Sequence, residues 1–71
     1  MKLVEVAIFT FPSDAAVFES ILSAEGIEHA LNNQNSAIIV PGNGVTISVR
    51  EKDRERAYEL LNEAGFKDHI I

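Results

Sequence analysis

Four consecutive amide side chains in the middle of the chain are the residues best suited to bind a small-molecule ligand. They offer hydrogen-bond donors and acceptors without net charge, and they are Asn32, Asn33, Gln34 and Asn35. Asn is also a good turn residue, and Pro-Gly-Asn-Gly at residues 41–44 is strong turn sequence, so a plain connector is the favoured reading. The ligand hypothesis stays open because residues 32–44 form a long loop for so small a domain, and long loops are often functional.

Two further polar residues stand where a helix is expected to begin. Ser13 and Asp14 follow Pro12 at the start of a helical pattern. The N-terminus of a helix favours anionic ligands. If the amide cluster binds an anion, we expect Ser13 and Asp14 to join Asn33, Gln34 and Asn35 in the site. The sequence leaves open whether Asp14 would help or repel that anion.

A basic run at residues 50–56 is a second candidate anion site. Its basic residues alternate with Glu51, Asp53 and Glu55. Three oppositely charged pairs are spaced three residues apart, where helix side chains can pair. These pairs are Glu51 with Arg54, Lys52 with Glu55, and Asp53 with Arg56. The spacing favours a solvated, self-paired helix face over an anion site.

The other chemistry-bearing residues do not form a recognisable site. The chain has no cysteine, which excludes disulfides, thiolate metal sites and thiol nucleophiles. A metal site built from His29 and His69 with Glu28 and Asp68 has no recognised spacing, and the strands that carry the two histidines are expected at opposite sheet edges. No nucleophile has a nearby base. We therefore expect no enzymatic activity, no metal and no cofactor, with His29 as a strand residue and His69 in a fraying C-terminus.

Charge and composition limit the classes of partner. The formal net charge is −5, and residues 1–49 contain one Lys or Arg side chain, Lys2. A protein that binds nucleic acid or an anionic membrane surface needs an excess of basic over acidic side chains. No apolar run reaches the roughly 18 residues of a membrane span, and no signal peptide is visible. We expect a cytoplasmic protein that binds neither nucleic acid nor membrane.

The secondary-structure pattern repeats once along the chain. Residues 3–11 predict a strand, residues 12–25 a helix ended by Gly26, and residues 27–32 a second strand. Residues 45–49 predict a third strand, followed by a helix ended by Gly65, and the C-terminal residues 66–71 remain for a fourth strand. A shift of 39 positions aligns SILSAEGI with ELLNEAGF. Residues 1–71 are therefore predicted to be one ferredoxin-like βαββαβ domain, with a four-stranded antiparallel sheet and both helices on one face.

The first strand predicts an apolar surface on the uncovered face of this sheet. If successive side chains of the strand point to opposite faces of the sheet, Val4, Val6 and Ile8 face the helices. The opposite set then points outward as a candidate interface, with Thr46 and Ser48 beside it, and comprises Leu3, Ala7, Phe9 and Phe11. A domain of this size buries little core and lacks disulfides. We expect a homo-oligomer or another protein partner on this face.

The chain also resembles the family of small bacterial domains described as putative prokaryotic signal-transducing proteins. The resemblance rests on Ile21-Leu22, Glu25-Gly26-Ile27 and Asn33, and in the second half on Val49, Glu51, Asp53, Ala57 and Leu60-Leu61. It implies a ferredoxin-like fold related to the nitrogen-regulatory PII proteins, and a regulatory role. Residues 32–44 are too short to act as the partner-binding loop of PII, and no nucleotide-binding motif is visible.

Two functional hypotheses follow. The leading one is a non-enzymatic regulatory or protein-interaction module, possessing an interface on the uncovered sheet face. The alternative is a small-molecule binding protein, or a minor enzyme, that holds an anionic ligand at residues 32–44 with Ser13 and Asp14.

Overall fold

The first five predicted elements occur in the predicted order, strand, helix, strand, strand and helix. The computed structural model describes residues 2–33 and 44–71. In order, the elements are β1 (Leu3–Phe9), α1 (Pro12–Ala24), β2 (His29–Asn33), β3 (Val45–Arg50), a 3-10 turn (Glu51–Asp53), α2 (Arg54–Glu63) and a second 3-10 turn (Lys67–His69). The α+β class is confirmed. The short extra strand that residues 38–40 suggest lies outside the described residues.

Within residues 2–33 and 44–71, the sheet has three antiparallel strands rather than the predicted four. Its order is β1-β3-β2, so β3 is central and pairs with both other strands. The four-stranded ferredoxin-like sheet is therefore not confirmed in the described residues. The reason lies after α2, where residues 67–69 form a 3-10 turn. That turn uses the residues that a fourth strand would need.

The C-terminus nevertheless touches the outer edge of β1. Ile70 forms an isolated antiparallel bridge with Ala7, and the Ile71 N–H donates to the Val6 carbonyl oxygen at 3.1 Å. This is the edge at which a fourth ferredoxin-like strand is expected. In the described residues, the backbone pairing here consists of one bridge and one further hydrogen bond.

Two glycines end the two helices in the same way. Gly26 and Gly65 have φ angles of 73° and 84°, which favour glycine because a side chain strains this backbone conformation. After each glycine, the next N–H returns to the helix: Ile27 donates to the Leu22 carbonyl at 2.9 Å, and Phe66 to that of Leu61 at 2.8 Å. Both ends are Schellman motifs. The predicted caps are confirmed, at positions 39 residues apart.

A β-bulge in β1 overturns the predicted assignment of its two faces. The pairing with β3 shifts between Glu5 and Ala7, so Val6 is an extra residue. A bulge changes the alternation of side chains beyond it. Ala7 and Phe9 are consequently fully buried against the helices, whereas Ile8 points outward and is 43% exposed. The predicted outward direction of Ala7 and Phe9, and the inward direction of Ile8, are wrong.

One hydrophobic core lies between the sheet and the two helices. The strands contribute Val6, Ala7, Phe9, Val45, Ile47 and Val49. The helices contribute Ala15, Phe18 and Leu22 from α1 and Ala57, Leu60 and Leu61 from α2. Because these residues form a single cluster, both helices lie on the same face of the sheet, as predicted.

Candidate functional site

The predicted ligand site is only partly within the described residues. Strand register aligns Asn33 with Val45 and Val45 with Phe9, so these residues mark one end of the sheet. Ser13 and Asp14 lie in the first turn of α1, shortly after Phe9. The topology therefore brings Asn33 and the start of α1 to the same end. Gln34 and Asn35 lie outside the described residues, and their role remains a prediction.

The uncovered sheet face carries a mixed surface. In register, Leu3, Glu5 and Ile8 lie beside Arg50, Ser48 and Thr46 of the central strand. On the other side of that strand, Ala30 lies beside Ser48 and Asn32 beside Thr46. We call Leu3, Glu5, Ile8, Ala30, Asn32, Thr46 and Ser48 the sheet face. Leu3 is 48% exposed, whereas Thr46 is buried between its neighbours. Phe11 is exposed but precedes α1 and is not part of β1.

Both histidines hold the fold through contacts to backbone carbonyls. His29 Nδ1 lies 3.0 Å from the Ile27 carbonyl oxygen, and its Nε2 lies 3.3 Å from the Glu19 carboxylate. His69 Nδ1 lies 3.1 Å from the Ile8 carbonyl oxygen. His69 also stacks on Phe9 with ring centroids 4.6 Å apart. The expected fraying of the chain at His69 is therefore wrong, because the ring is fixed against the core.

The basic run does not pair as its spacing suggests. None of the three predicted pairs is formed; Arg56 instead contacts Glu25 and Glu59, each at 2.9 Å. The hydrogen bond to Glu25, followed by that to Glu59, raises the pKa of Arg56 above its ordinary value. Glu25 is the C-cap of α1, so Arg56 joins the two helices across the surface.

A basic pocket lies at the opposite end of the sheet from Asn33. It has a volume of about 330 Å³ and is lined by Lys2, Arg50, Glu51 and Lys52. Antiparallel pairing of β1 with β3 positions the residue before one strand beside the residue after the other. The Glu51 N–H accordingly donates to the Lys2 carbonyl at 3.1 Å. Three of the six basic residues of the chain thus share one pocket.

The donors of the basic pocket are only partly used. Arg50 pairs with Glu28 at the start of β2. In the described residues, Lys2 and Lys52 have no carboxylate within the 4 Å of an ion pair. The Arg50 Nε is shielded from solvent and finds no acceptor in that same part of the chain. The sequence points to Arg50 and Lys52 within the basic run but not to Lys2, which is 50 positions from Lys52. The available signal is the predicted ferredoxin-like fold, in which right-handed crossovers make the first and third strands neighbours at the centre of the sheet.

The described residues contain neither a metal-binding group of side chains nor a helix that could cross a membrane. Across residues 2–33 and 44–71, His, Asp and Glu side chains form no group of three or more that could hold a metal ion. In the same two segments, no helix has both the length and the apolar character needed to cross a bilayer.

Comparison with known proteins assigns the chain to a family. No curated protein and no solved structure shows a significant match. The model of the family described as putative prokaryotic signal transducing protein matches residues 3–65, which span β1 to the glycine cap of α2. The resemblance stated from the sequence is thereby confirmed, and the chain belongs to this family of putative prokaryotic signal-transducing proteins.

Proposed function

We propose that this chain is a cytoplasmic, non-enzymatic regulatory module that acts by reversible association with a second copy through the sheet face. The observation that carries the proposal is the pair of exposed aliphatic side chains on that face. Leu3 and Ile8 are 48% and 43% exposed on one strand, directed away from a core that both helices cover. Exposed apolar side chains grouped on one face are typical of interaction surfaces.

The charge distribution favours a second copy at this face. A net charge of −5 repels another copy from most of the surface. Within the sheet face the charged residue is Glu5, and the Arg50–Glu28 pair at its margin is internally neutralised. Two copies can therefore approach here against less repulsion than elsewhere.

The size of the face indicates that the association is weak. Three strands of at most seven residues give a surface of roughly 23 by 14 Å from standard strand spacings. Stable complexes usually bury about 800 Å² on each partner, which this face does not reach. We expect a dimer that forms and dissociates with concentration, as a regulatory interaction requires.

The contacts of the histidines support a non-enzymatic role. Each ring directs Nδ1 at a backbone carbonyl, and His29 directs its other nitrogen at Glu19. A general base needs a ring nitrogen within reach of the proton it removes. Both nitrogens of His29 are instead engaged, one with the Ile27 carbonyl and one with Glu19 of α1, and Nδ1 of His69 holds the C-terminal turn on β1.

Light scattering over a wide range of protein concentration tests the proposal. We expect the average mass of the wild-type chain to rise from monomer toward dimer. Ile8→Glu introduces a charge into the sheet face and should remain a folded monomer. Val17→Glu is the matched control, since Val17 is 50% exposed on α1 and lies off the sheet face. A wild-type monomer at every concentration, or equal dissociation by both variants, would contradict the proposal.

A further inference from the structure

We propose that the basic pocket binds the phosphate group of a small phosphate monoester. Three basic residues, Lys2, Arg50 and Lys52, line the pocket with Glu51, and Glu28 is paired with Arg50 beside it. This excess of positive charge occurs on a chain whose net charge is −5. A local concentration of one sign, against the overall balance, attracts an ion of the opposite sign.

The basic pocket contains hydrogen-bond donors that have no partner in the described residues. In the described segments, the ammonium groups of Lys2 and Lys52 lack an ion-pair partner, and Arg50 Nε lacks an acceptor. A shielded donor without an acceptor is costly. An oxyanion in the pocket would supply acceptors to a guanidinium and two ammonium groups, which are the groups that usually recognise phosphate.

The chemistry of the pocket favours a phosphate monoester over the other common anions. A phosphate monoester has three acceptor oxygens and close to two negative charges, so it matches the three groups that lack a partner in the described residues, the ammonium groups of Lys2 and Lys52 and Arg50 Nε, better than a carboxylate does. Nucleic acid is a poor occupant because the acidic remainder of the chain would repel its other phosphates. A volume of about 330 Å³ is at the small end of ligand sites and suits a phosphate with a short polar body.

The site is independent of the proposed dimer. It lies at the Arg50 end of β3, whereas Ile8 pairs with Thr46 toward the other end of that strand. Ile8→Glu should therefore leave phosphate binding unchanged. If only one of the two proposals fails, the two experiments identify which one.

The test is an NMR titration of ¹⁵N-labelled protein with inorganic phosphate and with glycerol phosphate, at constant ionic strength. We expect saturable shifts of the backbone amides of residues 50–52 and of the Arg50 Nε–H signal. Acetate, as the carboxylate probe, should bind at least about tenfold more weakly, because it has half the charge and fewer acceptors.

Two lysine variants separate a site from diffuse attraction. Lys52→Gln should weaken phosphate binding by about fivefold, the effect of losing one charge-assisted hydrogen bond at a partly exposed site. Lys67→Gln removes the same charge from the second 3-10 turn, outside the pocket, and should leave affinity unchanged. Absence of saturation, acetate binding as tight as phosphate, or equal weakening by both variants would overturn the proposal.

Discussion

His69 stacks on Phe9, with their ring centroids 4.6 Å apart and 25° between the ring planes. The same imidazole places Nδ1 3.1 Å from the Ile8 carbonyl oxygen. Because a carbonyl oxygen can only accept, Nδ1 carries the proton in this contact. Phe66 meets Phe9 edge-on at 5.1 Å. The rings of Phe66 and His69 and the contact to the Ile8 carbonyl thereby fix the residues after α2 on the sheet, in addition to the backbone contacts of Ile70 and Ile71.

Replacing His69 with Ala should destabilise the protein. The variant loses an aromatic stack and a hydrogen bond, together worth about 1–2 kcal/mol in the free energy of unfolding. Urea denaturation followed by circular dichroism measures this change. Lys67→Ala is the control, since Lys67 is exposed in the same 3-10 turn. A His69→Ala variant as stable as the control would show that the C-terminus is not anchored here.

Adjacent residues of β1 should respond oppositely to the same substitution. Phe9→Glu places a charge in the core, at a cost of several kcal/mol, which is comparable with the total stability of a small domain. Ile8→Glu places the same charge at a position that is 43% exposed. We expect the far-UV circular dichroism of Phe9→Glu to show an unfolded chain and that of Ile8→Glu to be unchanged. A folded Phe9→Glu would mean that the bulge does not direct Phe9 inward.

Gly44→Ala should destabilise the chain by steric overlap. A methyl group on Gly44 would collide with the backbone carbonyl oxygen of Phe9 and lie 3.1 Å from the Ile8 Cγ1. Because a backbone carbonyl cannot rotate away as a side chain can, we expect a loss of about 2 kcal/mol or more. Thermal unfolding followed by circular dichroism provides the measurement. Wild-type stability in this variant would contradict the close approach of Gly44 to β1.

Gly26→Ala should cost less, and for a different reason. A methyl group there meets no atom within 4 Å, but the φ of 73° is a strained conformation for any side chain. We expect a loss of about 1 kcal/mol. Gly26→Asn should recover part of that loss, because Asn tolerates left-handed backbone. If Asn and Ala were equally destabilising, backbone strain would not be the cause.

The sequence predicts the local elements of this fold well. Pro12 marks the start of α1, and Gly26 and Gly65 follow the ends of both helices. These signals depend on the backbone preferences of single residues. They therefore act locally and can be read without knowledge of the tertiary structure.

The features that were missed depend on contacts between distant residues. Apolar side chains occupy nearly every position of β1, so the sequence does not reveal that Val6 is an extra residue. The pairing of Arg56 with Glu25 requires the two helices to be adjacent, and helical spacing within 50–56 says nothing about it. The basic pocket likewise exists only after β1 pairs with β3.

The bulge at Val6 divides β1 into two stretches with opposite phase. Before it, odd-numbered positions accept polar substitutions, as exposed Leu3 and Glu5 show; beyond it, Ile8 is the exposed position. In a mutational scan of β1, the positions that tolerate polar substitution should therefore change from odd-numbered before Val6 to even-numbered after it. Deleting Val6 would restore uniform alternation and keep the pairing of both halves of β1 with β3, so Ala7 and Phe9 would stay in the core and the buried Val6 side chain would be lost. A homologous first strand that is one residue shorter can therefore pair with β3 along its whole length and bury the same face as β1.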